Sequence, residues 1–169
     1  GRSASSGPSR GPKVCEARRV RACPFVLTLA LVGTVSLAYT VFIGYQVPGV
    51  PVARHFVLAL GSTFLLVMAH SFIMFFLIAT GVEMKDMEKE KGWGDSFRKR
   101  TIVMKGKVFP VMTLALLLVI TNFILGAAAH TKAIPAFVHE GLSWTTFAVC
   151  LYALFREWQV LGDNNMLRL

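Results

Sequence analysis

The sequence predicts an all-α membrane protein, an antiparallel bundle of four transmembrane helices with both termini on the inner side. Three observations predict it. Between Arg54 and Glu83 run 28 residues free of Asp, Glu, Lys and Arg, and three other stretches are similarly apolar. A helix needs about 20 mostly apolar residues to cross a hydrocarbon core about 30 Å thick. Sixteen of the 18 Lys and Arg lie in segments that an even number of crossings places on one side, and only Arg54 and Lys132 lie opposite. Basic loops stay on the cytoplasmic side, which sets the predicted orientation. Finally, four crossings and their connections use nearly all of the 169 residues, leaving no length for a separate soluble domain.

Residues 1–23 are rich in Ser, Arg and Gly, with Glu16 as the one acid. They read as a disordered basic tail, a transit peptide or an upstream segment, outside the fold. The first span, 24–45, opens on Pro24, a residue suited to a helix start because its missing N–H costs nothing there. Ser36, Thr40 and Gly44 recur every four residues and form a small stripe where another helix can come close. Pro48, Gly49 and Pro51 predict a tight outer turn, which makes spans one and two neighbours.

The second span, 54–81, is expected to continue as helix into the charged run Glu83–Lys91, where Asp86 and Lys89 are spaced i,i+3. Gly92 and Gly94 break it around Trp93, and Asp95 is an expected N-cap for the basic segment Ser96–Lys107. Residues 83–107 thus read as an inner amphipathic loop lying on anionic lipid. The third span, 108–129, carries Pro110 in its first turn, where proline is tolerated. After a turn containing Pro135 comes the fourth span, 136–160, the shortest charge-free run because Glu140 and Arg156 bound it. Trp144 and Trp158 fall near its two ends as interfacial anchors. Residues 161–169 form a short inner tail.

The net charge of +9 is explained by the basic inner loops. Nucleic acid is not an expected partner, since no aromatics interleave the basic runs at a stacking spacing. Cys15, Cys23 and Cys150 show neither metal-ligand spacing nor an oxidising-side pair, and read as free thiols. The sequence shows no hydrolase elbow, phosphate-binding glycine loop or paired intramembrane carboxylate.

Chemistry therefore rests on four histidines. His70 lies 15 residues beyond His55, about 22 Å deeper along a helix, which puts it near the midplane. An ionisable group at that depth is costly and reads as functional. It could ligate haem b or a chlorophyll-type pigment, or relay protons. Alternatively it is structural, bonded to Ser36 or Thr40 of the first span or to Asn122 of the third. His55, His130 and His139 fall together at the outer interface, beside Glu140. Three imidazoles, or two and a carboxylate, suit Zn, Cu or Fe, and two could hold a haem.

The leading expectation is a non-enzymatic accessory or anchoring subunit of a larger membrane complex, in contact with lipid and with other membrane subunits or a second copy. The alternative is a haem-, chlorophyll- or metal-binding electron-transfer protein using His70 or the outer histidines. A bacterial inner membrane is the expected location, or an organelle membrane if residues 1–23 are a transit peptide.

Overall fold

The computed structural model describes residues 13–46, 51–91 and 96–166. They form four helices: α1 (Lys13–Tyr45), α2 (Val52–Lys91), α3 (Ser96–His130) and α4 (Ala136–Met166). Three are long and apolar enough to cross a membrane, over Pro24–Tyr45, Val52–Glu83 and Ile102–His130. The fourth carries Glu140, Arg156 and Glu157 inside its length. The apolar residues of the long helices circle the whole cylinder rather than one stripe, as expected where lipid, not water, covers the outside. Phe64, Phe75, Leu117 and Ile124 accordingly stand exposed.

Two helix starts differ from expectation. Pro24 does not open α1 but lies inside it. The helix begins at Lys13, within the stretch read as a disordered tail; residues 1–12 lie outside the described part. Likewise α3 is one helix from Ser96, so the basic segment and the third apolar run are continuous and Pro110 is interior. A proline removes one main-chain bond and presses on the preceding turn, yet a long apolar helix held by neighbours keeps its course. The expected helical continuation of α2 through Glu83 is present. The break at Gly92–Asp95, with Asp95 as N-cap, lies outside the described residues.

The helices pack in cyclic order, α1 on α2, α2 on α3, α3 on α4 and α4 on α1. That order places α2 and α4 across one diagonal. The end of α1 at Tyr45, the start of α2 at Val52 and the turn 131–135 share one end of the bundle, called here the short-turn end. At Gly33 the α1 and α2 backbones approach so closely that a built Cβ would sit 3.0 Å from the Leu66 side chain and 3.3 Å from its main-chain nitrogen. Glycine makes that approach possible.

Two apolar clusters fill the interior. Leu37, Leu66, Ala115, Val119, Cys150 and Ala153 form the one nearer the short-turn end. Beyond it Ala30, Ile73, Leu77, Met104, Val108, Met112 and Val160 close the other end. The interior is unusually polar for a membrane-type bundle: His70 and Glu157 lie between the clusters, Ser62 and Thr146 on the short-turn side of the first, and all four are fully buried.

Candidate functional site

The positions of α4 that face the interior follow a three-four spacing: His139, Ser143, Thr146, Cys150, Ala153, Glu157 and Val160. This is the spacing that keeps a seam of one helix against its neighbours. On α2 the matching seam includes His55, Ser62, Leu66, His70 and Ile73. Because the two helices face each other across the diagonal, their polar residues meet in pairs.

The first pair stands at the short-turn end. The His55 and His139 rings lie 6.5 Å apart between centroids, with planes at 82°. Each ring keeps a buried Nδ1 without a hydrogen-bond partner. Each is seated against a glycine of the other diagonal. A Cβ built on Gly44 would lie 3.2 Å from His55 Cε1, and one on Gly126 3.0 Å from His139 Cε1. The small residues expected to bring helices together thus make room for imidazoles instead.

Two cavities flank this pair, of about 730 Å³ and 420 Å³, and both are lined by His55, Gly126, His130 and His139. The smaller extends along the interior to Leu37, Ser62 and Asn122. The larger opens among Tyr45, Lys132, Ile134 and Glu140. Such volumes match ordinary cofactor sites, and their walls are mainly apolar. At the rim Tyr45 donates to Glu140 Oε1 at 2.5 Å, and Trp144 Nε1–H donates to the Tyr45 hydroxyl at 2.7 Å, tying α1 to α4. Arg54 donates to the Tyr39 hydroxyl at 3.0 Å. Lys132 has a φ of 60° and ends α3, where its main-chain N–H bonds the Ala129 carbonyl at 3.1 Å. That left-handed cap is normally a glycine position, and a lysine there costs roughly 1 kcal/mol.

Of the three histidines expected to converge, the fold brings His55 and His139 together, edge to face. His130 lines the same cavities but is exposed at the rim. Among the described residues no group of three or more His, Cys, Asp or Glu is arranged to hold a metal ion.

The second pair is deeper. His70 Nδ1 lies 2.5 Å from Glu157 Oε1, and both side chains are fully buried. The partners expected for His70 are otherwise engaged. Thr40 donates to the Ser36 carbonyl of its own helix at 2.8 Å, and Asn122 Oδ1 lies 3.0 Å from the Ser143 hydroxyl. Glu157 is the residue that the sequence reading missed. It stands next to Arg156 and looked like part of the interfacial end of the span. The three-four spacing from His139 was the signal that turns it inward.

No family model matches this chain, and neither the curated proteins nor the solved structures contain a match.

Proposed function

We propose that this is a membrane protein crossing the bilayer four times, which binds one tetrapyrrole, a haem, between His55 and His139. The observation that carries the reading is the facing imidazole pair, held across a cavity with a glycine behind each ring. Two imidazoles on opposite sides of one metal ion, with metal–nitrogen bonds of about 2.0–2.1 Å, have centroids roughly 6–6.5 Å apart. The 6.5 Å found here agrees with that spacing. Edge-to-face packing of two rings also falls in this range. It does not by itself call for glycine at both flanking positions or for cavities on either side.

A haem is favoured over a bare metal ion by the number of donors. Structural zinc takes four protein ligands, and catalytic zinc usually three. The fold supplies two imidazoles, which are the full axial complement of an iron already held by four macrocycle nitrogens. The lining suits an amphipathic dianion: apolar walls in the interior, with Lys132 at the mouth able to meet a carboxylate. The chemistry a haem supplies when bound is one-electron transfer. The residues orient it, exclude water and set its depth near one membrane face.

In this reading α4 is the fourth crossing, its Glu140 and Arg156 near opposite interfaces, and the basic loop faces the cytoplasm. An anchoring or accessory role in a larger complex fits the same architecture. The groove between α1 and α4, lined by Leu31, Leu154, Phe155 and Trp158, gives a partner helix a place to lie.

The test is a hemin titration of the purified full chain in detergent, with metal analysis in parallel. Saturable growth of a Soret band with sharp α and β bands is expected. It should be lost in His55→Ala and in His139→Ala and retained in His130→Ala. A wild-type protein that gives no saturable shift would sink the reading.

A further inference from the structure

The His70–Glu157 pair plays no part in holding a ligand at the short-turn end, and it stands on its own geometry. Nδ1 and Oε1 at 2.5 Å cannot both be bare acceptors, so a proton lies between them. Two protonation states satisfy this. In one, a neutral imidazole donates from Nδ1 to a carboxylate, and the pair carries one negative charge. In the other, one more proton sits on His70 Nε2, the pair is neutral, and the proton between Nδ1 and Oε1 belongs to either partner. The states differ by one proton and no electron. The atom that gains it, His70 Nε2, is buried without a hydrogen-bond partner, and so is Glu157 Oε2 on the far side. Buried polar atoms are nearly always paired, so two unpaired ones flanking a single contact set it apart from the ordinary structural hydrogen bonds of the bundle.

Apolar side chains close on the pair from both ends: Ile73, Leu77, Met104, Val108 and Val160 on one side, and Leu66, Ala115, Val119 and Ala153 on the short-turn side. Buried polar groups lie beyond each, Thr80 on the first side and Cys150, Thr146, Asn122, Ser143 and Ser62 on the second, where the 420 Å³ cavity already reaches the last three. Ser62 lies eight residues from His70, about 12 Å along α2. Few other ionisable groups face the pair. Between Pro24 and Tyr45 α1 offers only Tyr39 and Tyr45, and between Val108 and Ala129 α3 offers none. On α2 the nearest are His55 and Glu83, each beyond three helical turns. On α4 they are the adjoining Arg156, whose Nε is buried, and then Tyr152, Asp163 and Cys150, five, six and seven residues away.

We propose that His70 and Glu157 form a proton-binding site in the middle of the bundle, loaded from the short-turn end through the polar file of α4. The negative state places a charge in a largely apolar interior, and the neutral state does not. The polar side chains of α4 and the cavity that reaches Ser143 give the proton its way in.

The test uses the full chain in lipid nanodiscs with 15N-labelled histidine, followed by solid-state NMR between about pH 5 and 8. The His70 ring signals are assigned by their loss in His70→Gln. Their protonation pattern should change across this range, and Glu157→Gln should move the midpoint by more than about one pH unit. Where Glu157→Gln fails to fold, Glu157→Asp keeps the carboxylate, lengthens the contact and gives a smaller shift of the same kind. Solvent exchange of the His70 ring proton should slow roughly tenfold in Thr146→Val, which replaces a buried hydroxyl with a methyl. A His70 ring with one protonation pattern throughout, or a midpoint indifferent to residue 157, overturns the site. An exchange rate unchanged in Thr146→Val overturns the route.

Discussion

At the scale of single residues, two small side chains and one buried acid decide most of what this bundle can do. A methyl group at Gly126 would press on His139 Cε1 from 3.0 Å, so the ring must give by a few tenths of an ångström. Gly126→Ala should therefore weaken hemin binding about tenfold in the same titration, a loss of about 1.4 kcal/mol, without changing helix content by circular dichroism. His70→Leu is a harsher change because it strands Glu157 in the interior. Removing one partner of a buried pair typically costs about 3–5 kcal/mol, whereas replacing both with apolar residues is often neutral. Unfolding in mixed detergent should show a large loss for His70→Leu and most of it recovered in the double variant His70→Leu with Glu157→Leu. Equal losses in the two would show that the pair is not the cause. The depth of His70 was legible from its spacing to His55, but its partner was not. A carboxylate beside an arginine looks interfacial along the sequence, and only the facing seam of α2 turns Glu157 from a charged end into a core residue.

At the scale of elements, the charge-free runs predicted four crossings, and three of the helices are long and apolar enough to span, the bilayer thickness setting a length that few other constraints produce. Their ends were less legible. Pro24 and Pro110 look like helix starts by local chemistry, and each lies inside a helix that begins earlier. Local propensity gives way where neighbouring helices support a continuous one. The turn before α4 was legible from Pro135, and the proximity of His55 and His139 from their places at the outer ends of α2 and α4, though not the edge-to-face arrangement that the three-four seams impose. The status of α4 is open to a direct measurement. A reporter inserted near Gly49 and another fused after Leu169 should fall on opposite sides of the membrane if α4 is a crossing. Both on the same side would mean an odd number of crossings and would remove α4 first.

At the scale of the whole molecule, the bundle is two helical hairpins, α1–α2 and α3–α4. Fragments 1–91 and 92–169, co-expressed in one membrane, should co-purify and regain hemin binding, since each hairpin brings one axial histidine and one member of the buried pair. Failure of either fragment to capture the other would show that the connecting loop is needed for assembly. The same geometry has a mechanical side. His55 with His139 and His70 with Glu157 are two fasteners driven through the same two diagonal helices, about 22 Å apart along α2. One fastener leaves a helix free to pivot about it. Two remove that freedom, so α4 can neither rotate nor slide by one 1.5 Å residue step against α2 without opening both at once. A push on the ring pair at one end therefore reaches the buried acid at the other as a shift of a rigid rod.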